Sequence, residues 1–488
     1  MRRYAGRRYG PVRVSAVWVL SIFLLGMPVC PGQAQVREVT KEAVPADGNE
    51  NGTGTAVQLE DITVMAPQPG VEITTEKTVI RMDEFKKPGN VRTLTDVLTE
   101  IGGVDVMRTN PIMASPGDEV SIRGLNEGRM VIEINGRRIN HTGHYGRYIV
   151  DWSTLNMDDV ERIEIIRGGH SVLHPFAIGG VINIITKKGK RTADLKPDVN
   201  VKAGYGDYNS HFETASVRGG AWNHVGYNFS ASRQETDGFL RNNYQETDSF
   251  NGQLTFYLPG NATLDLSAKY SDVLYGLPVI NDPLRPDYDS KYPYFLDSRD
   301  QLRHIDWPQY AANDPHWKRQ TTYLDGIFQM PLGPGALKLH YFMTVGRRWT
   351  SIYSAMGTFT QDDFSDDKTE GFIAEYRDVD LSENHRLTAG IEYQGLGAPS
   401  ENPIIYQVKS AYLQDVIRAG DRWTLTPGVR YYDVEKDTYY SQFGSGWPTE
   451  GKEEEDEGFY PSLKADFQAT PETALYAAVS RSYRLPCP

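Results

Sequence analysis

The chain has 488 residues, 39% of them hydrophobic, and a net charge of −13 at pH 7. The acid excess argues against a nucleic-acid partner, which needs a basic face, and the length calls for more than one domain. Past the N-terminus no run approaches the ~20 apolar residues of a membrane helix; the mean hydropathy of −0.50 suits a soluble protein or a barrel whose strands show lipid only alternate residues.

The first 34 residues read as an export signal. Arg2, Arg3, Arg7, Arg8 and Arg13 form a positive start, Val14 to Val29 an apolar run, and Gly32-Gln33-Ala34 a small-x-small cleavage site. Cys30 falls in this segment, so Cys487 would stand alone in the mature chain, with no internal disulfide and no cysteine metal site. Residues 35–69 form a polar arm. Near its end Glu60, Asp61, Ile62, Thr63, Val64, Met65 and Ala66 make a short extended patch before Pro67. Its β-branched residues favour a strand. That strand is either one that a partner completes by β-augmentation or the first strand of the next domain.

Residues 70–190 have α/β character. Val91, Leu94, Val97, Leu98 and Ile101 predict a helix over 91–101, stopped by Gly102-Gly103. Strands are predicted at Val120–Gly124 and at Met130–Ile134, the latter closed by the hairpin dipeptide Asn135-Gly136. Two more follow at Val160–Arg167 and Gly179–Lys188. From about residue 198 clean two-residue alternation takes over, as in Val225, Tyr227, Phe229 and Ala231 or Leu387, Ala389, Ile391 and Tyr393. About 13 strands are predicted. Their connections alternate in length: short ones at 219–223, 259–261, 332–335, 382–385, 419–421 and 469–472, long ones at 235–248, 274–317, 350–366, 395–403 and 434–457. A soluble sandwich has no reason to sort its loops by parity, whereas an outer-membrane barrel has short periplasmic turns and long outer loops. The acidic run Glu453-Glu454-Glu455-Asp456-Glu457 would then sit in an outer loop as solvated charge.

Four ordered motifs carry a family resemblance: Ser121-Ile122-Arg123-Gly124, Ile132-Glu133-Ile134-Asn135-Gly136, Glu161-Arg162-Ile163-Glu164-Ile165-Ile166-Arg167-Gly168 and Ile178-Gly179-Gly180-Val181-Ile182-Asn183-Ile184-Ile185-Thr186-Lys187. Together they resemble the plug of TonB-dependent outer-membrane receptors of the siderophore, cobalamin or haem type. Ser480 to Pro486 resembles a mid-barrel motif of that family. The sequence departs from the pattern at Gly169, where proline is usual, and at His174-Pro175, where Tyr-Gly is common.

The resemblance implies a mainly β fold, with an N-terminal α/β plug domain inside an antiparallel transmembrane β-barrel. Plugged barrels have about 22 strands and this chain ends on no terminal aromatic strand, so residues 191–488 are expected to be a partial barrel and the sequence a fragment. Glu60 to Ala66 would be the TonB box, with TonB and its inner-membrane energising complex as partner. Arg123 and Arg167 would pair with barrel carboxylates. Ligand contacts are sought at Arg108 and Asn110 and at His141, His144, Tyr145 and Arg147, whose chemistry suits an anionic iron complex or haem propionates; two histidines in a polar loop also fit simple solvation. No intrinsic cofactor and no dedicated metal cage is expected. The cargo would be a small-molecule metal chelate, the surroundings outer-membrane lipid, and the location the outer membrane of a Gram-negative bacterium. An outer-membrane enzyme is a weak alternative, since no nucleophile elbow is present. A signalling transducer would need a larger N-terminal domain than the arm allows, and a non-functional remnant stays open.

Overall fold

A computed structural model of the chain describes residues 69–74, 77–85, 93–108, 110, 112–115, 118–142, 148–169, 171–296, 307–354, 357–398, 402–437, 453–470 and 473–485. The N-terminal unit opens with the hairpin β1 (Val71–Ile73) and β2 (Thr78–Arg81), then helix α1 (Leu94–Leu98) and the antiparallel pair β3 (Val104–Met107) and β4 (Glu119–Ile122). It continues with β5 (Met130–Ile134), β6 (Arg137–Arg138), β7 (His141–Thr142), β8 (Tyr148–Ile149), β9 (Val160–Arg167) and β10 (Gly180–Thr186). Six of these strands form one sheet in the order β1-β2-β9-β10-β5-β6, with β10 and β5 parallel.

Helix α1 is shorter than its apolar spacing predicts. Thr93 caps it: its hydroxyl accepts from the Asp96 amide while the Asp96 carboxylate accepts from the Thr93 amide, so helical pairing starts after residue 93. Its Leu94, Val97 and Leu98 pack on Ile132, Ile163, Ile165 and Ile182 of the sheet, all buried. Asn135 and Gly136 have φ of 53° and 85°, the pair of positive values that a two-residue hairpin turn requires.

The second unit is a single antiparallel sheet of 13 strands, each paired with its predecessor. It runs through β11 (Asp198–Gly206), β12 (Ser210–Ala221), β13 (Val225–Thr236), β14 (Gln245–Tyr257), β15 (Thr263–Gly276), β16 (His316–Leu332), β17 (Gly335–Tyr353), β18 (Phe359–Ser382), β19 (His385–Ala398), β20 (Asn402–Ala419), β21 (Trp423–Asp437), β22 (Glu453–Gln468) and β23 (Ala474–Ser480). β11 and β23 are its edges and do not pair with each other. The sheet curves around the N-terminal unit, which bonds to side chains of strands as far apart as β13 and β23.

Its polarity is inverted relative to a water-soluble sheet. On β14, Gln245, Thr247, Ser249, Asn251, Gln253 and Thr255 are buried on the concave side, while Phe250 is exposed on the convex one. Leu266, Tyr270, Tyr341, Phe372, Ile391, Tyr393, Leu413 and Phe459 are likewise large, apolar and exposed. Apolar outside and polar inside is what lipid around a lined lumen demands. Among the described residues no helix is long and apolar enough to cross a membrane.

The loop parity is sharper than predicted at one end and weaker at the other. Turns at 222–224, 333–334, 383–384 and 420–422 are tight, and 277–315 and 438–452 are long. The expected long loops at 350–366 and 395–403 contract to 354–358 and 399–401, because strand pairing continues through polar sequence; β18 alone has 24 residues. The acidic run 453–457 likewise belongs to β22, not to a loop, since backbone pairing with Asp433–Asp437 holds it extended. After β15, residues 277–296 fold around buried Asn281, whose amide donates to the carbonyls of Asp289, Tyr292 and Pro293, and Trp307–Asn313 form helix α2.

The linker from β10 lies along the ends of β12 and β13, with the Lys190 amide bonded to the Gly219 carbonyl at 2.9 Å. A Cβ at Gly189 would stand 2.1 Å from the backbone nitrogen of Tyr227. Gly189→Ala is expected to destabilise the chain by roughly 1–3 kcal/mol through overpacking, whereas Gly102→Ala, with nothing within 4 Å, shifts it little. Chemical unfolding in detergent micelles checks both.

Candidate functional site

The two ends of the molecule are distinguishable from chain direction. β10 runs to Thr186 and into the linker beside the tight turns, so that end carries the short connections. Because β5 is parallel to β10, its Asn135-Gly136 turn lies there too, where Asn135 Oδ1 accepts from the Thr186 amide at 3.1 Å. The opposite end carries the long connections.

The inner unit meets the sheet wall through buried charge. Arg137 follows the hairpin turn, and β-alternation points it at the wall. Its Nε and Nη2 donate to the two oxygens of Asp325 on β16 at 2.7 and 3.1 Å, and Nη1 donates to Thr344 Oγ1 at 2.7 Å. His340 Nε2 lies 3.0 Å from the same carboxylate, and the guanidinium stands over Tyr323 and Phe342. Nearby, Arg319 of β16 reaches Asp151 at 3.3 Å and Asp367 of β18 at 3.0 Å, and Tyr323 bonds Thr154 at 3.0 Å. Lys188 reaches Asp265 at 2.5 Å, and Ser230 bonds Asp159.

The side facing β19–β22 is apolar instead. Val131, Phe176, Ala177 and Val181 pack against Leu396, Tyr406, Val408, Tyr432 and Tyr460. The Phe176 ring stacks on Tyr432 with centroids 5.2 Å apart. A cavity of about 340 Å³ opens between Ile112, Met113 and Asn156–Asp158 on the inner unit and the concave face of β11–β13.

Inside the smaller unit, Glu127 ties three segments. Its carboxylate accepts from Trp152 Nε1 at 2.7 Å, the Val150 amide at 3.0 Å and the Val120 amide at 3.3 Å. Burial pushes its pKa up to about 7 against those three donors, which favour the charged form.

A family model described as the TonB-dependent receptor plug domain matches residues 69–181, and one described as the TonB-dependent receptor-like β-barrel matches 185–486. The chain belongs to the TonB-dependent receptor family. Among solved structures, the unliganded ferric citrate transporter FecA is 18% identical, with a TM-score of 0.58 over 83% of this chain and 62% of that one. The copper transporter OprC is 15% identical, with a TM-score of 0.64 over 86% and 64%. A ferric enterobactin receptor (PfeA) mutant from Pseudomonas aeruginosa is 17% identical, with a TM-score of 0.62 over 86% and 63%. At these identities the likeness is one of fold, and the chain spans just under two thirds of the length of each.

With plug and barrel so assigned, the residues singled out in the sequence can be located. Glu60 to Ala66, His144, Tyr145 and Arg147 lie outside the described residues. His141 is in β7, which packs beside β18 and β19. Arg108 is engaged inside the plug, with Nη1 2.5 Å from Asp96 at the start of α1. Asn110 is buried at the long-loop end, capping the Ile112 amide and lying 3.5 Å from Gln245 of β14. Arg123 and Arg167 are close enough to repel. Arg123 donates to Tyr476 of β23 at 3.4 Å, and Arg167 to Thr78 at 2.6 Å and the Gly102 carbonyl at 3.1 Å. Among the described residues neither meets a carboxylate; the plug–barrel ion pairs there are those of Arg137, Asp151, Asp158 (with Lys202 of β11) and Lys188, which motif reading missed. The one signal for Arg137 was its place just after the hairpin of a fully buried strand. Both departures from the family pattern have a physical basis: a Cβ at Gly169 would lie 2.3 Å from the Ala177 carbonyl oxygen, and His174 bonds Glu133.

Arg137→Met strands the buried Asp325 carboxylate and is expected to cost roughly 3–5 kcal/mol, while the double variant Arg137→Met, Asp325→Leu recovers most of it; urea unfolding in micelles measures the difference. For Glu127, the folded chain keeps a proton between the ordinary value of 4.5 and about 7 that the unfolded chain has lost. Its contribution to stability is therefore full below 4.5 and is lost as pH rises through 7. Relative to Glu127→Gln, the wild type should lose about 2–3 kcal/mol between those pH values, read from the same unfolding curves.

Proposed function

We propose that this chain serves an outer-membrane receptor that imports a scarce metal chelate, an iron complex foremost, with energy drawn from the inner membrane through TonB. The observation that carries this reading is the plug itself. It fills the concave side of the sheet and is tied to it by buried charges on one side and packed aromatics on the other. A passage then opens only if the plug is displaced or remodelled, which takes work. The periplasm holds no ATP, so the work must arrive by mechanical coupling. FecA and PfeA, named for ferric citrate and ferric enterobactin, share the fold.

Within this reading residues 1–34 are an export signal and 35–69 a periplasmic arm. TonB pairs with Glu60 to Ala66 by strand addition, Ile62 and Val64 filling alternate side-chain positions. Arg123 and Arg167, facing the edge strand β23, take barrel carboxylates as partners in the whole receptor. The ligand binds at the long-loop end. Since Arg108 is engaged with Asp96 and Asn110 is buried, the segment from His141 to Arg147 is favoured for contact.

Proline at position 62 removes a backbone donor from the strand that TonB must pair with. In cells whose receptor gene carries Ile62→Pro, uptake of radiolabelled ferric citrate or ferric catecholate chelates is expected to fall to background while surface binding persists. Undiminished uptake would sink the assignment of this segment.

A further inference from the structure

One departure from the family pattern builds a titratable contact. Glu133 is the fourth residue of β5 and lies on the same face as Val131, toward the wall, while Met130, Ile132 and Ile134 enter the plug core. It is fully buried. The turn 171–179 passes over it between plug and wall, and His174 points back from this turn. Its Nδ1 lies 3.0 and 2.9 Å from the two Glu133 oxygens. On either side the turn grips the barrel: Arg430 Nη1 donates to the Val172 carbonyl at 2.8 Å, and the Phe176 amide donates to the Tyr432 hydroxyl at 3.1 Å.

We propose that His174 and Glu133 form an acid-strengthened latch, which holds the plug's turn 171–179 on its central strand and thereby firms the plug's apolar joint with β21. With the imidazole protonated, the contact is a charge-assisted ion pair in a poorly solvated site. With it neutral, the carboxylate keeps at most one ordinary hydrogen bond from the ring, and its burial is less well compensated.

The groups facing the pair come from every neighbouring element. They are Arg138 on β6, Lys338 on β17, Glu375 on β18, Glu392 on β19, Tyr412 on β20 and Arg430 on β21. Arg430 opposes a second cation but is already bonded to Glu392 and Ser410. Glu375 favours one. Burial alone would push the His174 pKa down; the charge and hydrogen bond of Glu133 outweigh it and raise the value. The latch therefore stays closed through ordinary histidine titration and opens only at higher pH.

The latch is read without ligand or TonB, so its fate is separate from the transport proposal. In the full chain in micelles, hydrogen exchange of the Phe176, Ile178 and Gly179 amides, corrected for intrinsic rate, is expected to lose protection severalfold between pH 6 and 8.5, as the imidazole gives up the proton that Glu133 holds on it. His174→Gln should show no such fall. Equal protection at both pH values in the wild type, or the same fall in His174→Gln, would overturn the latch. As a measurement that needs no variant, the His174 ring resonance should titrate with a midpoint above 6.5; a midpoint at or below 6.5 would also overturn it.

Discussion

A strand that crosses a membrane puts its apolar residues toward lipid, so the lumen behind it is polar by necessity, and whatever fills that lumen must bring matching polar groups into burial. The contact of Arg137 with Asp325 is how this chain meets that demand. A guanidinium and a carboxylate out of water lose several kcal/mol of hydration each, and only two-point geometry with further donors offsets the loss. Here the two bonds to Asp325, the third to Thr344 and the histidine beside the carboxylate supply it. Such a contact adds little net stability yet is costly to half-break. It fixes where the plug sits without making the plug immovable, since both partners regain hydration when they part together.

The opposite side of the plug obeys a different rule. Phe176, Val131 and Val181 meet Tyr432, Tyr406 and Val408, and apolar area lost there is regained nowhere when the surfaces separate. The barrel lining allows this only because tyrosines stand where other strands carry Ser, Thr, Asn or Gln: Tyr432 still satisfies its hydroxyl, by accepting from the Phe176 amide. Work applied to the plug thus meets unequal resistance on its two sides. The sheet side with ion pairs can exchange partners with water, while the aromatic side must be pulled apart against the hydrophobic effect.

Much of this architecture was legible in the chain. Two-residue alternation marked the strands of the large sheet and their number, and Asn135-Gly136 marked a hairpin whose positive φ values only such residues adopt readily. What alternation cannot supply is the partner across the lumen. Arg137 and Asp325 are 188 residues apart, and each alone looks like one more polar residue on a polar face. Loop lengths were overread for a related reason. Polar sequence such as Gln361 to Asp367 signals a loop when strands are expected to be half apolar, yet beyond the lipid both faces of a paired strand meet water, and hydrogen bonding alone keeps it extended.

Arg123 and Arg167 show the limit of motif reading from the other direction. The structure brings the two together on one face of the plug: Arg123 and Gly124 share positive φ, which turns the chain and brings the Arg123 side chain toward β23. Two guanidiniums side by side raise each other's electrostatic cost; burial, followed by the charge of Arg123, holds the Arg167 pKa below the usual arginine range. Tyr476, Thr78 and the Gly102 carbonyl offer neutral acceptors only. β23 is also the edge of the sheet, with one row of backbone groups unpaired among the described residues, and such an edge cannot face hydrocarbon. The uncompensated charge and the unpaired backbone therefore fall on the same side of the molecule, and a single wall element carrying acceptor side chains inward would satisfy both.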